Sequence, residues 1–269
     1  MAKENIIEVQ NLKTYFHTPE GIVKSVDGVS FSIEKGKTMA LVGESGCGKT
    51  QTSLSLIRLL APTAKVSADK IEINGKETKD YTKDQARGIR GKDISMIFQE
   101  PMTSLNPVYR VKRQLEEMIH LHQPELSKQD IYQRALNILT RVGIPEPQER
   151  IRVFPHQLSG GLRQRVMIAI ALASNPRLLI ADEPTSMLDS SSKANLNRLL
   201  KARQNTSGFS MLIVTHDLSS ALKISDRIYL LRDGVLTELE RALPPEKIAE
   251  LIKKGIELEG KSAKLEKVS

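Results

Sequence analysis

The sequence predicts an α/β fold in which short apolar strands alternate with helices around an open sheet. Four apolar runs of four or five residues have the length of buried strands, and each ends directly before a glycine or a polar residue. Apolar residues recur at helical spacing between these runs, and the first forty residues show a looser strand-like alternation. The four runs are MALV, ISMIF, LLIA and LIVT.

The N-terminal part of the chain predicts strands and tight turns. Apolar side chains alternate over residues 7–9 and again over 26–33, and Gly36 follows as the pivot of a turn. Asn74 and Gly75 come after two alternating isoleucines, and this dipeptide is typical of a two-residue β-hairpin.

The middle of the chain predicts helices. Apolar residues recur at helical spacing over 111–119 and 131–142, with Ser127 as an N-cap and Gly143 as a C-terminal stop. We therefore expect a helical insert from about residue 100 to about residue 170, after which the α/β pattern returns.

The composition excludes several classes of protein. Cys47 is the only cysteine of the 269 residues, so neither an internal disulfide nor a multi-cysteine metal cluster is expected in them. The longest clean apolar run has eight residues, whereas a bilayer span needs about 20. A membrane role would therefore depend on a partner. Lysine and arginine number 40 against 32 acids, but no long basic block appears, so nucleic acid is not an expected partner.

The most specific motif is a glycine-rich loop, GESGCGKT, which spans Gly43 to Thr50 and matches the phosphate-binding pattern G-x-x-x-x-G-K-[ST]. Glycines allow successive backbone N–H groups to face an anion, and the positive end of the following helix adds to the attraction. Lys49 supplies a charge for the β- and γ-phosphates, and Thr50 offers a hydroxyl to Mg²⁺. The same amides would lower the pKa of Cys47, although a bound nucleotide would cover it. Leucine and isoleucine spacing extends the following helix to about Leu60.

Carboxylate, amide and imidazole groups follow the other apolar runs. Asp182 and Glu183 come directly after LLIA, Gln99 follows ISMIF and His216 follows LIVT. Ligands of open α/β sheets bind at the carboxyl ends of the strands, so these groups are expected to converge with the loop if the runs are neighbouring strands. One carboxylate would serve Mg²⁺ while the next would orient or deprotonate a water molecule.

A second glycine-bearing turn, LSGGLRQ, begins at Leu158 and leads into an apolar helix. Ser159 is a good N-cap residue, and the amides behind it form a second anion site. A single nucleotide needs only one such cradle. The turn is therefore either an ordinary capped helix start or a site for a nucleotide held by another subunit.

These motifs, together with SMLD at 186–189 and THD at 215–217, resemble the ATP-binding cassette ATPases and occur in the order of that family. The resemblance covers about residues 5 to 240. The sequence around the motifs, such as FQEPMTSLNPV, most resembles that of the ATPase subunits of peptide and nickel importers. It implies a P-loop NTPase, RecA-like core with an N-terminal antiparallel β subdomain and an inserted helical subdomain. Residues 1–240 would form this domain and 241–269 a short helix and tail.

The resemblance also implies roles for single residues. Glu183 would polarise the attacking water, His216 would contact the γ-phosphate as a switch, and Asp189 would communicate across a dimer. Thr50, Gln99 and Asp182 would hold Mg²⁺. Phe16 is the better candidate for stacking on adenine and Tyr15 the rival. The opposing subunit's ATP would be bound by Ser159, Gly160, Gly161 and Gln164. ATP bound by this chain would contact Gly43, Glu44, Ser45, Gly46, Cys47, Gly48, Lys49, Thr50 and Gln51.

The implied function is ATP hydrolysis that powers an importer of peptides, nickel or related solutes. The implied partners are a second ATPase subunit, identical or different, membrane-spanning permease subunits and, indirectly, an extracellular solute receptor. The segment at 100–110 is the candidate for docking the permease, which would place the chain at the cytoplasmic face of the membrane. One alternative is a soluble ATPase of the same superfamily that acts on nucleic acid or ribosomes. Another is a P-loop kinase, which would lack LSGG and the histidine switch.

Overall fold

The computed structural model describes residues 4–99, 104–186, 188–232 and 234–239. The chain forms two compact units, Met1–Arg87 with Ser210–Ser269 and Gly88–Phe209. The expected C-terminal helix and tail at 241–269 lie outside the described residues, as do the first residues, 100–103, of the expected docking segment.

The first unit contains an antiparallel sheet and a mainly parallel one. Its elements, numbered along the whole chain, are β1 (Asn5–Thr18), β2 (Gly21–Glu34), β3 (Thr38–Val42), α1 (Lys49–Leu56), β4 (Ala64–Ser67), β5 (Lys70–Ile73), β6 (Lys76–Glu77), α2 (Lys83–Arg87), β9 (Ser210–Thr215), α8 (Leu218–Ile224), β10 (Arg227–Arg232) and β11 (Val235–Leu239).

The antiparallel sheet has the order β2-β1-β5-β6, and β4 pairs with β1 as well. The alternating apolar residues of β1 and β2 are buried, as the sequence predicts. Asn74 and Gly75 have φ angles of 52° and 75°, the left-handed pair that a type I′ hairpin requires, and they join β5 to β6. Gly36 turns the chain with φ 73°. The predicted strands and both turns are confirmed.

The second sheet of this unit has the order β11-β10-β3-β9. β3 is parallel to both β9 and β10, and Val42 at the end of β3 pairs with Thr215 at the end of β9. Every residue of β3 and β9 is buried, because a parallel strand is covered on both faces. The pairing brings Gly43 and His216, which follow these two ends, to one edge of the sheet.

The second unit is mostly helical. Its elements are β7 (Ile94–Ile97), α3 (Val111–His122), α4 (Lys128–Arg141), α5 (Pro147–Arg150), a 3₁₀ turn (Pro155–Gln157), α6 (Gly160–Ala173), β8 (Leu178–Asp182) and α7 (Ser190–Ser207).

The helix caps of this unit agree with the sequence prediction. Ser127 accepts a hydrogen bond from the backbone N–H of Asp130 at the start of α4, and Ser159 accepts one from Leu162 at the start of α6. Gly143 follows α4 with φ 76°, the left-handed conformation that ends many helices. A Cβ at Gly143 would lie 2.2 Å from Nη1 of Arg165, which donates to the carbonyl oxygens of Val142 (2.9 Å) and Gly143 (3.2 Å).

Strands β7 and β8 are parallel, and Ile97 pairs with Ala181. Gln99 and the acidic pair Asp182 and Glu183 therefore leave neighbouring strands at the same edge, as the prediction of converging strand ends requires.

The first helix is shorter than the sequence predicts. The apolar spacing favours a helix to Leu60, but α1 ends at Leu56 and Arg58 has φ 53°. The helix ends in a local turn in which the backbone N–H of Leu59 donates to the carbonyl oxygen of Leu54 at 3.0 Å, and the guanidinium of Arg58 donates to the backbone carbonyl of Lys79. Within the described ranges, none of the helices is both long and apolar enough to cross a lipid bilayer.

Candidate functional site

The glycine-rich loop joins β3 to α1, the strand-loop-helix placement that the motif requires. At two of its glycines, a close backbone contact leaves no space for a side chain. A Cβ at Gly43 would lie 2.4 Å from the carbonyl oxygen of Leu231, and a Cβ at Gly48 would lie 2.1 Å from that of Ser25. Gly48 also has φ 100° and is the residue directly before α1. The loop backbone is thus packed between β2 and β10 and begins a helix whose amides face outward from its first turn.

Lys49 is buried, with only 5% of its surface exposed. Its Nζ donates to the carbonyl oxygens of Gly43 at 2.9 Å and Glu44 at 2.7 Å. The two bonds fold the side chain back over the loop, so the ammonium lies beside the loop whose N–H groups a triphosphate tail would meet. Thr50 and Gln51 are half-buried, whereas Glu44, Ser45 and Gly46 are exposed at the rim of the loop.

Cys47 differs from the sequence expectation. Burial raises the pKa of its thiol above the ordinary value, and the opposing effect of the nearby Lys49 ammonium is smaller. The lowered pKa expected from the amides is therefore wrong, and desolvation outweighs their attraction for a thiolate.

A cavity of about 310 Å³ lies beside the loop and is lined on its other side by Leu230, Leu231 and Arg232 of β10. Arg232 was not among the site residues predicted from the sequence. The same strand-end rule finds it, because Arg232 ends the apolar run IYLL and Leu230 pairs with Val42 at the end of β3.

The two candidate aromatic residues occupy adjacent positions of β1. The Tyr15 hydroxyl donates to Asp27, which raises the pKa of Tyr15, and the Lys24 ammonium lies 5.4 Å from the centre of its ring. Phe16 is half-buried and pairs with Val23 of β2 and Ala64 of β4. Because Tyr15 is engaged by two side chains, Phe16 is the better candidate for a nucleobase contact.

His216 is exposed directly after β9. The residues around it are fixed by a turn: Asp217 donates its backbone N–H to Thr215 Oγ1 at 3.0 Å, and its carboxylate accepts the N–H of Ser220 at 3.0 Å as the N-cap of α8. The imidazole therefore projects from a rigid strand-to-helix connection at the same sheet edge as the loop.

Gln99 and Glu183 contact each other in the second unit. Glu183 follows the fully buried strand β8 and is 9% exposed, and its Oε2 accepts a bond from Gln99 Nε2 at 3.5 Å. Asp182, one residue earlier, is buried at the last position of β8. The amide and the carboxylate that sequence reasoning singled out thus lie together, on a scaffold of two parallel strands.

The backbone of Glu183 is strained, which the sequence did not predict. Its φ is 44°, a left-handed conformation that costs a non-glycine residue about 1–2 kcal/mol. Ser186 stabilises the turn, because its N–H (3.2 Å) and its hydroxyl (3.1 Å) both donate to the Glu183 carbonyl oxygen. Such strain is concentrated at functional sites, where it fixes the direction of a side chain.

The second glycine-bearing turn forms the start of α6. Ser159 and Gly160 are exposed and Gly161 half-buried, and a Cβ at either glycine would meet no atom within 4 Å. The close approach that these glycines permit is therefore available to a group from outside the unit. Gln164 is 3% exposed, and its Nε2 donates to the Pro184 carbonyl oxygen at 2.7 Å. Its contact with nucleotide stays a prediction, and in this structure it links α6 to the turn that carries Glu183.

Asp189 is the N-cap of α7. Its carboxylate accepts the hydroxyl of Ser192 at 2.6 Å and the N–H groups of Ser191 (2.9 Å) and Ser192 (3.0 Å). These bonds, led by the one from the Ser192 hydroxyl, lower the pKa of Asp189. The carboxylate is therefore charged and held at an exposed position.

The model of the ABC transporter family matches residues 26–186 of the chain. The dipeptide transport ATP-binding protein DppD of Bacillus subtilis is 45% identical over 237 residues, which cover 88% of this chain and 70% of that protein. The oligopeptide transport ATP-binding protein OppD of the same organism is 42% identical over 234 residues, which cover 87% of this chain and 65% of that protein. The chain thus spans roughly two thirds of the length of these relatives.

A solved structure is also similar to the chain. It is the dimeric structure of a post-hydrolysis state of the ATP-binding cassette MJ0796 bound to ADP and Pi. It superposes with a TM-score of 0.76 and 30% identity, covering 87% of this chain and 99% of that one.

Proposed function

The chain belongs to the ABC transporter family and is an ATP-binding ATPase, and we propose that it powers a membrane importer of peptides or related small solutes. The cargo class rests on the names of the relatives, which act in dipeptide and oligopeptide transport. Nickel is the other cargo that the sequence resemblance implies.

The observation that carries the ATPase site is the contact between Gln99 and Glu183. It places a carboxylate on a rigid, strained turn with an amide beside it, at the carboxyl ends of two buried strands. Gln99 would orient the carboxylate, and Glu183 would accept a proton from the water that attacks the γ-phosphate.

The other residues would bind and position the triphosphate. The loop amides and Lys49 would attract the phosphates, and the ammonium would exchange its bonds with two loop carbonyls for bonds with phosphate oxygens. His216 would contact the γ-phosphate from the edge of the same sheet, and Phe16 would stack on the base. Thr50, Gln99 and Asp182 would offer Mg²⁺ the hydroxyl, amide and carboxylate oxygens that it prefers, and the ion would neutralise charge on the phosphates.

We further propose that the chain acts as a dimer with an identical or different ATPase subunit. The dimeric cassette among the similar structures supports this assembly. The open approach to Gly160 and Gly161 suits a phosphate brought by the opposing subunit to the Ser159 turn.

The permease would dock on the segment that follows Gln99, at the cytoplasmic face of the membrane. In its described part, Val108 is 70% exposed while Leu105 is buried. Gln114 holds the segment to α3 by donating to the carbonyl oxygens of Asn106 (3.0 Å) and Tyr109 (2.9 Å). An exposed apolar residue on a loop that is held by hydrogen bonds is a suitable contact for a partner chain. A solute receptor would act on the permease and not on this chain.

The proposal is tested by replacing Glu183 with glutamine in the transporter complex. The variant should bind ATP normally, hydrolyse it at least about tenfold more slowly, and accumulate nucleotide-bound dimers, because only the proton acceptor is lost. Steady-state hydrolysis, nucleotide affinity and size-exclusion chromatography with ATP measure the three effects.

The matched control is Glu117→Gln, which makes the same change at an exposed position of α3. It should hydrolyse ATP at the wild-type rate. Undiminished hydrolysis by the Glu183 variant would refute the assigned base.

A further inference from the structure

A second cavity lies in the second unit, along the length of α4 and beside the C-terminal ends of α6 and α7. Its volume is about 390 Å³, within the range of small-molecule sites, which begins at about 300 Å³. Three of its lining residues are arginines, against a single carboxylate. The lining residues are Leu126, Asp130, Gln133, Arg134, Asn137, Ile138, Arg141, Val142, Leu172, Asn175 and Arg203. None of the residues expected to bind nucleotide is among them.

The three arginines have no acidic partner among the described residues. The Nε of Arg134 is buried there without a hydrogen-bond acceptor. Arg203 donates only to neutral hydroxyls of its own helix, those of Thr206 (3.3 Å) and Ser207 (3.0 Å). A buried donor without a partner destabilises the folded state, so the arrangement favours an acceptor supplied from outside.

Helix capping does not account for the charge of Arg141, the last residue of α4. The carbonyl oxygens of Ile138, Leu139 and Thr140 at the end of that helix already accept backbone N–H groups of residues 142–144. The one carboxylate of the cavity is also engaged, since Asp130 accepts the hydroxyl of Ser127 at 2.6 Å.

The arginines also repel one another. Burial lowers the pKa of Arg203, and the charge of Arg141 lowers it further. Guanidinium groups that outnumber the carboxylates facing one space raise the free energy of the folded state, and a bound anion would lower it.

We propose that this cavity binds a small anion of the phosphate class that carries at least two negative charges. The planar fork of an arginine matches two oxygens of a phosphoryl group, and guanidinium groups can contact more than one face of such a ligand. The amides of Gln133, Asn137 and Asn175 provide donors and acceptors for the hydroxyl groups of an organic phosphate.

Two of the helices that line the cavity also carry residues expected to act in ATP hydrolysis. α6 begins at the Ser159 turn and α7 begins at Asp189, and the cavity lies at the opposite ends of these helices. A ligand held there contacts both helices and α4 at once.

The test uses pyrophosphate and the full chain with Lys49→Ala, which weakens phosphate binding at the glycine-rich loop. In this parent, Arg141→Gln with Arg203→Gln removes two charges from the cavity. Arg152→Gln with Arg198→Gln removes two charges from exposed arginines outside the cavity lining and is the matched control. Titration calorimetry measures affinity, and thermal unfolding with and without pyrophosphate shows that each variant folds.

We expect pyrophosphate to bind the parent and the control equally and to raise their unfolding temperatures. The cavity variant should bind at least about tenfold more weakly, the loss expected for charge-assisted hydrogen bonds. Equal affinity of the cavity variant and the control would overturn the proposal, as would no binding by the parent at millimolar pyrophosphate. Tighter binding of succinate than of pyrophosphate would overturn the assignment to the phosphate class. None of these outcomes depends on hydrolysis, so they are independent of the ATPase proposal.

Discussion

Individual residues of the glycine-rich loop are required for different reasons. Gly46 and Gly48 both have positive φ, 86° and 100°. A Cβ at Gly46 would meet no atom within 4 Å, whereas one at Gly48 would lie 2.1 Å from a backbone oxygen. Gly46 is thus needed only for its backbone conformation, and Gly48 for its conformation and for space.

Alanine at these two positions separates the effects. Gly46→Ala should cost about 1 kcal/mol of unfolding free energy, the strain of a left-handed alanine. Gly48→Ala should cost about 1–3 kcal/mol more, because the Ser25 carbonyl belongs to a strand and must shift. Urea unfolding of both variants measures the difference, and equal losses would contradict the close contact.

The raised pKa of Cys47 predicts slow alkylation. At about pH 8, a thiol with a raised pKa carries less of the reactive thiolate than an ordinary cysteine, whose pKa is about 8.5. Iodoacetamide should therefore modify the folded chain more slowly than the urea-unfolded chain, and the difference should narrow as the pH rises. ATP should slow the reaction further by covering the loop.

Mass spectrometry measures this reaction at a single site, since the chain has no other cysteine. Equal rates for folded and unfolded protein would show that the thiol is neither buried nor shifted.

The sequence predicted which functional side chains lie together better than it predicted which residues have a strained backbone. The rule that ligands bind at strand ends predicted that Gln99 and Glu183 lie together, and they do. The left-handed backbone of Glu183 could not be predicted, because glutamate has no preference for it. The tertiary bonds from Ser186 stabilise that backbone. The buried bond from Gln164 to Pro184 depends likewise on packing between distant segments.

Among the elements, the β10–β11 hairpin has the best-defined electrostatic contact. The guanidinium of Arg227 makes two parallel bonds to the Glu238 carboxylate, at 2.7 Å and 2.8 Å. These bonds lower the pKa of Glu238, against an opposing effect of burial. A lowered carboxyl pKa stabilises the fold above the unfolded pKa of about 4.3, and this stabilisation is lost as the pH falls through the folded value.

Arg227→Gln should raise the pKa of Glu238, which carboxyl NMR titration measures. The loss of unfolding free energy should be about 0.5 kcal/mol at neutral pH, because the pair is partly exposed, and should vanish once the pH has fallen below the folded pKa of Glu238. Arg227→Lys keeps the charge but loses the paired bonds, so it should raise the pKa of Glu238 less than Arg227→Gln does. A loss of stability that does not depend on pH would rule out the ion pair as its cause.

Element types could be predicted more reliably than element ends. The strands formed by the four apolar runs, the helices over 111–119 and 131–142 and the helix after Ser159 follow from periodicity and from the caps Ser127, Ser159 and Gly143. The end of α1 does not, since residues 57–60 continue the apolar spacing without a glycine or proline. The helix ends at Arg58 in the left-handed conformation, which an arginine in the sequence does not predict, and Arg58 then contacts the distant segment at Lys79.

At the scale of the whole molecule, the net charge of +8 does not predict nucleic-acid binding. Basic side chains are interspersed with acids: Lys70 pairs with Glu8 at 2.8 Å and with Glu72 at 3.1 Å. Dispersed and paired charges release few counterions from DNA.

We therefore expect no micromolar binding of duplex DNA at physiological salt, which fluorescence anisotropy measures. Micromolar affinity that falls linearly with the logarithm of salt concentration would instead favour the alternative of an ATPase that acts on nucleic acid. Titration at low salt is the control for residual attraction.

The contact of Arg165 with the end of α4 has a consequence for movement. Its guanidinium bonds the carbonyl oxygens of Val142 and Gly143 from the second turn of α6. Turning α6 about its axis would break two charge-assisted bonds, at a cost of about 1.5–3 kcal/mol each. The two helices should therefore rotate together as one rigid body, and a displacement that begins at the Ser159 turn should be transmitted undiminished to the far end of its neighbour.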